Sequence, residues 1–333
     1  MACFLAYEDA MRDAYVDNAK GILIFLVVFG HFLEKATDWH WNYPVIKYVL
    51  TVIFMFHVPA FVFFAGVTAK TENLPSRILR LFVMYVIFQC IYMLFLHFYN
   101  GTGSLSFVRP YWVVWFLLAM CFWYALLPLI KLVRFPVAWS VAISIASGTF
   151  AWSDYQWSIS RVMVFLPFFV VGNLYGNEII GLVKKLPVWK CVFAIFIPAM
   201  ALVLFRSLIE NPWMYGAFNY SWLKISDGEG VAVRAMLDFF AFASIFCLLC
   251  LIPTRASFLT SLGRNSLSVY LLHGLFALLA WSSISNMPQN IGDVQTLLLA
   301  LVASVVVTAL TGLNFVDASI RRFADFAMRT ILK

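Results

Sequence analysis

Lys20 and His31 stand eleven positions apart in the stretch DNAKGILIFLVVFGHFLE, residues 17–34, and the ten residues between them carry no charge. A helix turns 100° per residue, so the two side chains fall within about 20° of one face and about 16 Å apart along the axis. Asp17 precedes Lys20 by three positions and Glu34 follows His31 by three, the spacing of neighbours on a helix surface. One stripe therefore carries Asp17, Lys20, His31 and Glu34. Neutral imidazole titrates near working pH and suits the removal of a proton from a hydroxyl. A carboxylate beside it holds the tautomer and raises the basicity. A lone buried histidine is more often a hydrogen-bonded structural residue. A structural role, however, does not require a cation on the same face.

Other ionisable groups admit two readings each. Arg77 and Arg80 open an apolar run at i, i+3 after Pro75 and Ser76. They anchor a helix end at a positively charged membrane face, or they clamp phosphate with arginine forks beside helix N-terminal amides. His57 lies two before Pro59, which frees a backbone carbonyl. The imidazole then lines a cavity or bonds that carbonyl. In GRNSLSVYLLHG, Arg264, Asn265 and Ser266 fit a helix cap, and Tyr270 and His273 share one face. The aromatic stretch with Trp213, Tyr215, Phe218, Tyr220 and Trp222 suits an interfacial belt or stacking on sugar rings.

The elements that must position these groups are membrane helices. The 333 residues are 63% hydrophobic and 12% charged, too apolar for a water-soluble globule of this length. Ten apolar spans are predicted, at 18–36, 45–68, 77–98, 111–131, 136–151, 161–178, 187–207, 232–252, 264–283 and 294–314. Most approach the ~20 residues that cross ~30 Å of hydrocarbon. The fold class expected is all-α, a polytopic membrane helix bundle of about ten transmembrane helices in one domain, residues 1–333. With the N-terminus in the cytoplasm, sixteen of the 23 lysines and arginines fall inside, and Arg161 is among the seven outside. This places both termini in the cytoplasm, with 1–17 as a cytoplasmic segment, 208–231 as an extracytoplasmic loop and 315–333 as a cytoplasmic tail. The opening twenty residues hold four acids and lack the pattern of a cleaved signal, so they are expected to remain. The net charge of +7 then marks a membrane face, and nucleic acid is not needed to explain it. The Cys247-x-x-Cys250 pair sits in FASIFCLLCLI, a setting for a buried helix and not for a redox or zinc loop. No metal is expected.

Several of these segments carry a resemblance. AYVDNAKGILIFLVVFGH resembles the opening of the acyltransferase 3 family of integral membrane acyltransferases, in the subgroup described as fucose 4-O-acetylase-like. Its first helix pairs a basic residue with a histidine across ten spacers, as Lys20 and His31 do here. Its third helix carries R-x-x-R, matched by Arg77 and Arg80. FHVPAFVFFAG, YWVVWFLLAM, LPFFVVGNLYG and GRNSLSVYLLHG resemble later segments in order. The resemblance implies acetyl-CoA as co-substrate, a glycan or polysaccharide acceptor, and a place in the lipid bilayer of a bacterial inner membrane. Some members carry an extra soluble domain after the tenth helix, and none is expected in this chain; a homo-oligomer is compatible with the resemblance. The function expected is O-acetyl transfer from cytoplasmic acetyl-CoA, with His31 as base, Glu34 orienting it, and Lys20, Arg77 and Arg80 holding the donor. Asp17, His57, Arg264, Tyr270 and His273 are further candidates for substrate contact. The rival reading is a proton-coupled transporter that exports a small acyl or glycan unit, with His31 and Glu34 as its relay.

Overall fold

The structure, a computed structural model, describes residues 13–37, 44–101, 106–150, 155–187, 211–284 and 292–331. These residues are helical with short connections: α1 (Ala14–Ala36), α2 (Pro44–Thr68), α3 (Leu74–Asn100), α4 (Trp115–Leu132), α5 (Pro136–Ala146), α6 (Ile159–Val183), α7 (Asn211–Tyr215), α8 (Asp227–Leu251), α9 (Phe258–Arg264), α10 (Ser266–Ile284), α11 (Asp293–Thr311) and α12 (Asn314–Ile331). Single 3-10 turns precede α4 and α6. Seven of the helices are long and apolar enough to cross a membrane. The chain is thus an integral membrane helix bundle.

Seven of the ten predicted spans match these long helices. The predicted span 136–151 contains the 11-residue α5 and the 3-10 turn Ser147–Thr149 that continues it, together one of the shorter apolar helices. The predicted span 264–283 corresponds to α10, also among the shorter apolar helices. The predicted span 187–207 lies outside the described residues. The stretch after the last span is the amphipathic α12, which packs on α3 and α10.

Two close seams hold the bundle. α2 and α6 form the most extensive helix pair. A Cβ at Gly66 would collide with the Phe169 carbonyl, and one at Gly172 with the Phe63 carbonyl. In lipid, where apolar side chains gain little by leaving solvent, such small-residue seams let backbones approach and pack. α1 and α9 repeat the device. Gly21 faces the Leu259 carbonyl, and Gly263 faces the Asp17 carbonyl. One seam fixes the helix of His57 against that of Arg161, and the other fixes the helix of His31 against that of Arg264.

A buried amide secures the second seam. Asn18 Nδ2 donates to the Pro253 and Arg255 carbonyls, each at 2.8 Å. Its Oδ1 accepts from Ser257 Oγ at 3.1 Å and from Thr260 Oγ1 at 2.7 Å. Ser257 in turn caps α9 in a capping box with Thr260. The Asn18 side chain is thereby saturated, and it ties α1 to the turn that launches α9.

Candidate functional site

The α1 stripe reaches the bundle interior. Its 23 residues rise about 35 Å, so His31 sits well along the helix from Lys20. His31 Nδ1 lies 3.4 Å from Glu34 Oε2, and the Glu34 side chain is fully buried. The Tyr215 hydroxyl donates to the other Glu34 oxygen. The His31 ring stacks on His273 with centroids 5.4 Å apart and planes 18° apart, and it meets Trp112 edge-on at 4.9 Å. His57 Nδ1 donates to the Ile53 carbonyl at 2.7 Å, and His273 Nδ1 to the Val269 carbonyl at 3.0 Å. Those carbonyls fix both flanking imidazoles with the proton on Nδ1. Three histidines from α1, α2 and α10 therefore converge, and Glu34 holds only one of them.

Two cavities meet at this cluster. The first, of 390 Å³, runs from Lys20, Arg264 and Arg321 past Tyr124 and Tyr270 to His31 and His57. The second, of 330 Å³, lies beyond His31 toward the end of α1. Glu34, Trp112, Tyr155, Arg161 and Tyr215 are among its walls. His31, His57, Val58 and Trp115 belong to both. His31 thus forms part of the boundary between two chambers arranged along α1.

The first chamber has a cationic end built from three helices. Arg264 ends α9, with its Nε 3.4 Å from Asp17 Oδ2. Arg321 projects from α12, held by Asp317 at 2.5 Å and by the Arg264 carbonyl at 3.2 Å. Lys20 comes from α1. Neither Arg77 nor Arg80 is among the residues lining this chamber. Arg77 Nε donates to the Glu72 carbonyl at 2.9 Å, and Arg80 pairs with Asp325 of α12 at 2.9 Å.

The second chamber is aromatic, with one buried cation. Arg161 is 7% exposed. Its guanidinium lies over Trp115 at 4.9 Å and over Tyr155 at 4.6 Å, and its Nε donates to the Tyr215 carbonyl at 3.1 Å. Burial pushes the Tyr155 hydroxyl above its usual range, so Tyr155 stays a neutral partner. Nη1 of Arg161 finds no hydrogen-bond partner among the described residues. An unmade bond of that kind costs about 1–3 kcal/mol and more for a charged group, so its persistence calls for a reason.

The structure thus brings His31, Glu34, His57, Tyr270 and His273 together, and joins Lys20 to Arg264 and, through Arg264, to Asp17. Arg77 and Arg80 do not themselves line the first chamber, but Arg77 lies within electrostatic reach of Tyr124, which does. Asn265 does not cap the start of α10 through its side chain. It closes the end of α9, and its amide donates to the Gly312 carbonyl and to Asn314, both at 2.7 Å. The aromatic loop is no surface belt throughout: Trp213 and Tyr220 are buried, and Tyr215 enters the site. Sequence reasoning missed Arg161, Arg321 and Tyr215 as site residues. Arg161 looked like one more charge in the topology count. Its signal was the only basic residue near the start of an otherwise apolar span, flanked by Tyr155 and Trp157.

A histidine–carboxylate pair thus lies inside a membrane bundle, with a cationic chamber on one side and an aromatic one on the other. The family model described as an acyltransferase domain, Acyl_transf_3, matches residues 13–313, and the chain belongs to this acyltransferase 3 family. It is a membrane acyltransferase, with an acyl donor and an acceptor. It is 27% identical over 296 residues to nodulation protein NolL of Sinorhizobium fredii, covering 79% of this chain and 77% of that one. It is 24% identical over 333 residues to nodulation protein NolL of Mesorhizobium japonicum, covering 87% and 84%. No solved structure matches.

Proposed function

We propose that the chain is an O-acetyltransferase of a bacterial inner membrane. It moves an acetyl group from cytoplasmic acetyl-CoA to a hydroxyl of an extracytoplasmic or lipid-linked glycan, and residues 1–333 act as one membrane domain. The observation that carries this reading is the position of His31 on the boundary between the two chambers. The charge count supports the Lys20 end as the cytoplasmic one, and the rhizobial relatives support a bacterial setting.

In this reading the donor phosphates rest among Lys20, Arg264 and Arg321, where charge-assisted bonds are shortest and strongest. The extended arm of CoA spans the first chamber, and about 16 Å of helix rise separates its cationic end from His31. The acceptor hydroxyl lies in the second chamber. With Glu34 against Nδ1, Nε2 of His31 is the nitrogen that takes the hydroxyl proton. The hydroxyl oxygen bonds to the thioester carbonyl carbon, the C–S bond breaks, and His31 returns the proton to the sulfur of CoA. Arg77 and Arg80 hold the donor-side end of α3, and Arg80 acts there through α12.

The test is incubation of purified protein in lipid nanodiscs with acetyl-labelled CoA and a host glycan extract. Release of CoA coupled to label on the glycan is the expected result. Label retained in CoA, with the protein folded and glycan present, overturns the reading.

A further inference from the structure

The second chamber holds an arginine whose surroundings leave one of its donors unused. Arg161 is nine-tenths buried, two aromatic rings cover its guanidinium, and its Nη1 is unbonded among the described residues. Its Nε bond to the Tyr215 carbonyl fixes the plane of the fork. Tyr215 also donates to Glu34, so one residue spans Arg161 and the carboxylate beside His31. A purely structural arginine in such a place normally has its donors filled, as buried polar groups are. Here a chamber of 330 Å³ adjoins it.

We propose that Arg161 is the acceptor-binding residue of this enzyme, and that the chamber it lines takes a single uncharged, hydroxylated sugar ring. The inference rests on the acyl-transfer reading above and adds the acceptor class. Three features select that ligand. Trp112 lines the chamber together with Trp115 and Tyr155, the two rings that flank Arg161, and this aromatic wall suits the apolar side of a sugar ring. The chamber volume lies at the small end of the range for ligand pockets, which suits one ring and not a chain. Its lining holds one guanidinium, Arg161, and one carboxyl group, Glu34, and no cluster of like charge that would select an ion. A ring oxygen or hydroxyl accepts from Nη1, and its neighbour hydroxyl is presented to His31.

The experiment uses the full chain in nanodiscs, with Arg161→Gln and Arg161→Lys. The probes are methyl hexosides and methyl 6-deoxyhexosides, with a methyl hexuronoside as charged control. Binding is read from tryptophan fluorescence, and transfer from acetyl-CoA is followed in the same samples. The expected result is a neutral glycoside that binds the natural protein, with its KM or Kd raised at least tenfold in Arg161→Gln. The KM for acetyl-CoA and the melting temperature stay unchanged. If Arg161→Gln melts lower, Arg161→Lys, which keeps charge but loses the fork, decides by the same ratio. Preference for the hexuronoside, or no neutral glycoside bound by the natural protein, overturns the inference. So does a rise in donor KM with acceptor binding unmoved. Acetyl-CoA turnover without any glycoside binding leaves the acyl-transfer reading standing and removes this one. Glycoside binding lost in Arg161→Gln, without any acetyl-CoA turnover, does the reverse.

Discussion

Two buried polar clusters share α1 and differ in how completely they are bonded. Around Asn18, both amide hydrogens and both oxygen lone pairs have partners, all supplied by the turn before α9 and by α9 itself. Around His31, Nε2 of His273 and Nη1 of Arg161 have none among the described residues. Both clusters are deep in the bundle, and the same chemistry of burial acts on each. A saturated cluster fixes chain against chain and has nothing left to offer. A cluster with unused donors and acceptors, beside a cavity, is prepared for something that arrives later. Degree of bonding, more than burial, separates these two clusters.

Substitutions probe that contrast. The largest effect belongs to His31→Ala, expected to lower the rate of acetyl transfer by about 10²–10⁴, the usual contribution of a general base, with no change in melting temperature. Asn18→Ala is expected to do the opposite. It strands two carbonyls and two hydroxyls, costs about 1–3 kcal/mol of stability, and leaves the rate per folded molecule within twofold. Equal losses of rate and stability in both variants would erase the distinction between the clusters. Arg321→Ala sharpens it further. Removing one charge-assisted partner of the donor phosphates is expected to raise the KM for acetyl-CoA about tenfold, with acceptor KM unchanged. The smallest effect belongs to Arg80 and Asp325. Their pair is about half exposed on both sides, so its loss is expected to cost below about 1 kcal/mol. Arg80→Asp combined with Asp325→Arg is expected to restore the donor KM that either change alone raises. A phosphate clamp at Arg80 would not be restored by the exchange.

The stripe on α1 was legible because helical periodicity is a local property. Lys20 and His31 line one chamber, as eleven residues of helix dictate. The i, i+3 relation of His31 and Glu34 was legible for the same reason. The Arg77 and Arg80 pair shows where local reasoning ends. Its spacing fixes a shared direction, but the partner of Arg80 lies on α12, far along the chain. Tyr215 reaches Glu34 across a separation of 181 residues. No periodicity spans that interval, and the order in which helices pack decides it. The predicted span 136–151 nearly coincides with the helical segment Pro136–Thr149, but its close in a 3-10 turn, with Gly148 against the ring of Tyr220, was not legible because Tyr220 lies far along the chain.

Two imidazoles, His31 and His57, are walls of both chambers. In the proposed reaction, neither the bulky nucleotide carrier nor the sugar has to travel through the bilayer. Only a two-carbon fragment changes sides, handed across the wall that the chambers share. Such an enzyme needs no rocking of its halves to expose a site alternately.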